Sequence, residues 1–184
     1  MLSKGLVFDQ ERTYVDPGAG PLLDRSRYGH VCTDTAITYT KLARGLYVPV
    51  FNGATGKIAL GDLGLNIHTC IVWLYPDDNT TRSILDLDGG TISLELDAGG
   101  DLTATGWTAP TRYVNAVVAN AVAQSAWSMI AVTTATAIDA SAVTIGNEAT
   151  WYDGMMSLFR LWNRVLSVGE IRAIYNEERK FFGV

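Results

Sequence analysis

The stretch Trp151-Tyr152-Asp153-Gly154-Met155-Met156-Ser157-Leu158-Phe159-Arg160-Leu161-Trp162-Asn163-Arg164-Val165-Leu166-Ser167 decides how the chain is read. Met155, Phe159 and Leu161 recur at period two and would line one face of a pleated ribbon, which predicts a strand. Leu158 and Trp162 then point to the opposite face, where an isolated domain would normally show polar groups. A helix follows over about 168–179. Ser167 and Glu170 stand in capping-box spacing, which satisfies free N–H groups at the helix start, and Ile171, Ile174 and Tyr175 form one apolar face. The last residues, Phe181-Phe182-Gly183-Val184, read as an apolar tail at 181–184.

Working outward, the composition suits many short strands joined by tight turns. Of the 184 residues, 48% are hydrophobic and only 18% charged, with 18 glycines and abundant Thr, Val and Ala. A chain of this size reads as one domain over 1–184 and needs no covalent staple, because folding buries roughly 70% of the surface the unfolded chain exposes. The net charge of −5 argues against a nucleic-acid partner, which calls for a basic surface. Lys4 and Lys41 stand apart, and Arg25 with Arg27 makes no patch. No apolar run approaches the roughly 20 residues that cross a bilayer, and no basic segment leads into an apolar stretch at the amino terminus. Those features predict synthesis and retention in a cytoplasm. Cys32 and Cys70 lie too far apart for a zinc knuckle and read as two free, buried thiols.

Strand and turn signals run the length of the chain. Gly5 to Asp9 opens as a strand, and Pro17-Gly18-Ala19-Gly20-Pro21 reads as a loop. Asp24-Arg25-Ser26-Arg27-Tyr28-Gly29-His30 is turn chemistry, with Asp24 and Ser26 expected to bond the local backbone. Thr69 to Pro76 is the most hydrophobic strand and is placed at the centre of a sheet. Hairpins are predicted from Ser83–Asp88, Thr91–Asp97 and Leu102–Thr105, punctuated by Gly89-Gly90 and Ala98-Gly99-Gly100-Asp101. The run from Val114 to Val122 fits either a helix or a strand, turn and strand; the second reading is adopted.

Taken together, these segments resemble the laminin-G-like, concanavalin-A-like jelly-roll family. The likeness is carried by Gly5-Leu6-Val7, the Asp24 to His30 loop, the Leu46 to Leu60 hairpin with its Phe51-Asn52-Gly53 turn, and Thr69 to Pro76. It continues through Arg112-Tyr113-Val114-Asn115, Ala126 to Thr134 and Val143-Thr144-Ile145-Gly146 into the closing strand and helix. The resemblance implies an all-β antiparallel sandwich, a jelly roll, with a short C-terminal helix. It also implies a wide choice of functions, since that sandwich carries lectins, adhesion modules, glycoside hydrolases and viral coat components.

The residues narrow that choice. Glycoside hydrolases of this fold carry Glu-x-Asp-x-Glu along a strand, but here Glu95-Leu96-Asp97 is followed by Gly99 where the second glutamate would stand. No acid and nucleophile pair remains, so no catalytic residue is assigned. Calcium in such folds needs six to eight oxygen ligands. Asn52 replaces the usual Asp of the turn, Ser157-Leu158 replaces an Asp-Glu pair, and Asp77-Asp78-Asn79 and Asp86-Leu87-Asp88 are natural turn chemistry. Neither a metal site nor a cofactor is expected.

Three functions are weighed. The first is a non-enzymatic virion protein, a capsid decoration or tail-associated component of a tailed bacteriophage. It would dock on capsid or tail proteins and on copies of itself through Leu158, Trp162, Phe181 and Phe182, and would be found in the virion. Against it stands coverage of that face within the chain, by the 17–21 loop or the C-terminal helix. The second is a lectin-like module binding a cell-surface glycan, with Trp107 and Trp151 as stacking residues, although a tryptophan in a sandwich is more often buried. A glycoside hydrolase is the remote third.

Overall fold

A computed structural model describes residues 3–14, 16, 18 and 21–184, so the loop expected at 17–21 lies partly outside the described residues. The larger sheet takes β1 (Leu6–Asp9), β3 (Thr38–Lys41), β4 (Tyr47–Asn52), β6 (Asn66–Pro76), β10 (Thr111–Val114), β11 (Val117–Val118), β12 (Ser128–Asp139) and β14 (Asp153–Trp162). The smaller takes β2 (Thr33–Thr35), β5 (Lys57–Gly61), β7 (Arg82–Asp86), β8 (Ser93–Leu96), β9 (Leu102–Thr105) and β13 (Val143–Ile145). Their orders are β11-β10-β12-β6-β14-β4-β3, with β1 also on β14, and β2-β5-β13-β7-β8-β9. All the strand pairs are antiparallel, and one helix, α1 (Val168–Phe182), closes the chain.

The larger sheet has a core on each side. Between the sheets lie Phe8, Phe51, Ile67, Val72, Leu74, Ile84, Leu94, Ile130, Tyr152, Phe159 and Leu161. On the outer side, Ile71, Trp73, Met129, Leu158 and Trp162 meet Ile171, Ile174 and Phe182 of α1. A strand buried on both faces must read as a continuous apolar run. That is why Cys70 to Leu74 of β6, held between β12 and β14, shows no alternation.

The alternation expected in β14 is broken by a bulge. Its register against β6 shifts between Ser157 and Arg160, and Leu158 takes a left-handed φ of 52°. The extra residue flips the pattern: Met156, Phe159 and Leu161 enter the inter-sheet core, while Met155 packs on the helix side. Period-two reading of Met155 with Phe159 and Leu161 is thereby corrected. Gly154, at φ 124°, precedes the bulge, where a β-carbon would collide with the Tyr75 carbonyl.

The segment from 114 onward is a hairpin. Asn115 and Ala116 both have positive φ, the geometry of a two-residue turn whose twist matches its strands, and Asn115 Oδ1 accepts the Met129 N–H at 2.9 Å. The helix is longer than expected and ends at Phe182, with Gly183 as a left-handed cap. Phe181 and Phe182 therefore belong to its last turn and not to a free tail. At the other end, Ser167 Oγ accepts the Glu170 N–H, and Arg164 forks onto both Glu170 oxygens at 2.7 and 3.1 Å.

That fork, with the cap hydrogen bonds, holds the Glu170 carboxyl at about 2, below its ordinary 4.5. A depressed acid stabilises the fold fully above its unfolded value and loses that contribution as pH falls through the folded one. Thermal unfolding followed by circular dichroism should show stability declining from about pH 5 toward pH 2, and Glu170→Gln should flatten that decline while lowering stability at pH 7.

Candidate functional site

Helix α1 occupies the face on which a partner was expected. Leu158 and Trp162 are each 1% exposed beneath it, and Phe182 stacks on Trp73 with ring centroids 4.3 Å apart. The physical reason is the helix's own periodicity. Ile171, Ile174, Glu178 and Phe182 fall on one stripe, and burying that stripe on the exposed side of β6 and β14 removes both apolar surfaces from water at once. Of the four residues assigned to a partner, only Phe181 stays half-exposed.

Glu178 marks what the sequence reading missed. A carboxylate at a core position of an amphipathic helix signals a buried ion network, and this one is 1% exposed. It accepts the Trp73 indole N–H at 3.0 Å, an Arg12 N–H at 2.8 Å and a hydrogen bond from Arg160. Beside it opens a cleft of about 470 Å³ lined by Asp9, Arg12, Leu158, Arg160, Trp162 and Glu177, among others. Its charges are matched internally: Arg160 lies 3.5 Å from Asp9, and Arg12 3.4 Å from Glu177. Burial pushes the Asp9 carboxyl up, against the pull of Arg160 and Arg12. This cleft clamps the helix to the sheet.

The two tryptophans proposed for glycan stacking part company. Trp107 is buried in the inter-sheet core, its N–H making no hydrogen bond among the described residues. It cannot stack on a sugar. Trp151 is half-buried, belongs to neither core, and sits at one end of the sandwich among polar loops. Strand pairing assembles that end: Asp153 lies opposite Asn52, and Gly154 opposite Pro76.

The loops there are rigidly tied. Arg82 donates to the Trp151 carbonyl at 3.0 Å and pairs with Asp78 and, at 3.4 Å, Asp153. The Ser83 N–H donates to Thr150 Oγ1 at 2.9 Å, and Asn52 Oδ1 accepts the N–H groups of Ala54, Thr55 and Gly56. Arg82 draws the Asp78 carboxyl down to about 2. Asp77 differs: it is exposed, its carboxylate makes no hydrogen bond among the described residues, and slight burial with Asp153 and Asp78 nearby pushes it up. An aromatic ring and an unengaged carboxylate carried on one fixed loop scaffold can hold a polyhydroxylated ligand, the ring by its C–H face and the carboxylate by its hydroxyls.

The remaining candidates are accounted for by local structure. Asp97 Oδ1 accepts the Gly99 and Asp101 N–H groups, and Glu95 accepts from Ser93 Oγ, so both serve their hairpin. Asp24 accepts from the backbones of Asp9, Ser26 and His30 and from the His30 ring. Cys32 and Cys70 are free and buried, and burial pushes the Cys32 thiol up to about 12. Among the described residues no cluster of three His, Cys, Asp or Glu could hold a metal ion, and no helix is long and apolar enough to cross a membrane.

With this geometry in hand, solved structures give the fold its relatives. The chain is similar to domain 4 of AbnA, an extracellular arabinanase from Geobacillus stearothermophilus solved with arabinotriose. Identity is 14% and the TM-score 0.63, over 92% of this chain and 98% of that domain. The fold is an antiparallel β-sandwich. The receptor-binding domain of botulinum neurotoxin D matches at 8% identity and a TM-score of 0.60, over 97% of this chain and 54% of that one. A botulinum neurotoxin type C structure, from a toxin whose cell entry depends on two ganglioside molecules, matches at 8% identity and a TM-score of 0.59, over 96% and 52%. The chain thus spans about half the length of the toxin chains it matches. No family model matches the chain, and no curated protein matches it in sequence.

Because Phe182 fills the outer core, Phe182→Ala should cost about 3 kcal/mol. Differential scanning calorimetry should then find a fall in Tm of roughly 6–12 °C for a domain of this size.

Proposed function

We propose that this protein is a non-enzymatic carbohydrate-binding module of the laminin-G-like kind, gripping a glycan at the sandwich end that carries Trp151. The observation that carries this reading is a half-buried tryptophan outside both cores, set among loops that Arg82 and Asn52 hold rigid, at the end of the sandwich where Asp77, its carboxylate unengaged, is tied to Asp153. Preorganised loops bind with little ordering cost. The sandwich relatives include a domain solved with arabinotriose and a toxin dependent on gangliosides, which makes arabino-oligosaccharides and ganglioside glycans the first ligands to try.

Glu95 and Asp97, the acids of the partial hydrolase-like motif, are engaged within their hairpin, which favours a binding module over a hydrolase. The alternative as a capsid decoration or tail component of a phage drew part of its support from an apolar face at Leu158 and Trp162, which helix α1 covers. The similar solved structures, one with arabinotriose and one of a toxin whose cell entry depends on two ganglioside molecules, favour the glycan reading.

A glycan array followed by isothermal titration, with and without calcium, tests the proposal. Binding by at least one oligosaccharide is expected, weakened about fivefold or more in Trp151→Ala for the loss of a stacking contact of about 1 kcal/mol. The Trp107→Phe control should bind normally. An array blank in both conditions, or binding indifferent to Trp151, would sink the reading, and release of reducing sugar that vanishes in Glu95→Gln would revive a hydrolase.

A further inference from the structure

The corner where α1 ends combines apolar and basic groups that are far apart in sequence. A cleft of about 250 Å³ is lined by Leu42, Ala43, Arg44, Trp127, Phe181 and Phe182. Trp127 and Phe181 are half-exposed walls, Trp127 packing at 4.5 Å from Phe182 and at 5.6 Å from Tyr75. The Phe181 ring has Lys180 Nζ 5.2 Å from its centroid, and Tyr14, half-exposed, meets it edge-on at 6.5 Å.

Arg44 lines this cleft and Lys180 stands against the Phe181 ring, while Lys41 and Arg179, near them in the chain, are exposed as well. None of the four is in an ion pair among the described residues, whereas Arg12, Arg25, Arg82, Arg160 and Arg164 all are. Arg44 and Lys180 thus bring unpaired positive charge to the cleft of a protein whose net charge is −5. The two acids that precede Arg179 on the helix are engaged: Glu178 is buried on Arg160 and Arg12, and Glu177 is paired with Arg12. Such a local reversal of sign attracts an acidic partner at short range, even though the molecule as a whole repels one.

We propose that this corner docks an acidic segment of a partner protein, whose single large apolar side chain enters the cleft while carboxylates on either side meet Arg44 and Lys180. The cleft's volume suits one Trp, Phe or Leu side chain. Its aliphatic walls, Leu42 and Ala43, favour a side chain over a stacked nucleotide base, and the net charge opposes a long polyanion. This docking is separate from the glycan reading, because Trp151 lies at a different place on the sandwich.

The probe is a fluorescein-labelled peptide, Glu-Asp-Trp-Asp-Glu, against its Trp-to-Ser counterpart, followed by anisotropy and by heteronuclear NMR on the whole chain. The tryptophan peptide should shift resonances of Leu42, Trp127 and Phe181 and bind at least about tenfold more tightly than the serine one, with affinity falling as salt rises. Arg44→Glu combined with Lys180→Glu should weaken it tenfold or more while Tm moves little, as for exposed substitutions. If that double variant does not fold, Ala43→Trp fills the cleft without touching a charge and should abolish the shifts. Trp151→Ala should leave peptide binding intact. Equal binding of the two peptides, shifts confined to other residues, tighter binding of an oligothymidylate of equal charge, or self-association of the protein that the double variant abolishes would each overturn the assignment.

Discussion

The carboxylate of Glu178 is the point through which the outer half of the molecule is held. It takes hydrogen bonds from Trp73 on β6, Arg160 on β14 and Arg12 on the segment after β1, so one side chain of α1 reaches three elements distant in sequence. Such a buried cluster is weak evidence of net stability, since desolvating the charges costs about what their attraction returns. Its effect is on uniqueness. An apolar stripe alone would allow the helix to slide along the sheet, but sliding would strand a buried charge, at a cost of about 3–5 kcal/mol.

Fixing the helix in turn defines which surfaces remain free. Because α1 closes the outer face of the larger sheet, Leu158 and Trp162 become core, and the bulge at Leu158 lets one strand supply bulky residues to both cores. The surfaces proposed for recognition, the loop end around Trp151 and the corner where the helix stops, lie outside the covered face. Both consist of side chains fixed from behind, by Arg82 and Asn52 in one case and by the Trp73, Phe182 and Trp127 stack in the other.

Much of the fold was legible because its signals are local. The capping box at Ser167 and Glu170, the apolar run of β6, the Asn115-Ala116 turn and the Asp24 loop each depend on neighbours within a few residues. The candidate site was legible only in part. Trp107 and Trp151 look alike in sequence, both near turns, yet one is core and the other is not, a difference set by which sheet face each loop folds onto. The bulge in β14 was hidden for a related reason: Met155 and Met156 are adjacent and equally apolar, so period two could be counted from either.

What the sequence by itself determined is the architecture: an antiparallel sandwich closed by one helix, because hydrophobic period, turn residues and caps act over short distances and agree along the chain. Only the tertiary structure decided which apolar residues are surface and which charges are neighbours. Glu178 finds Arg12 from 166 residues away, and Arg44 lines the Phe181 cleft although it is far from it in the chain. Burial and electrostatics depend on distance in space, and chain order carries that distance only within a single element.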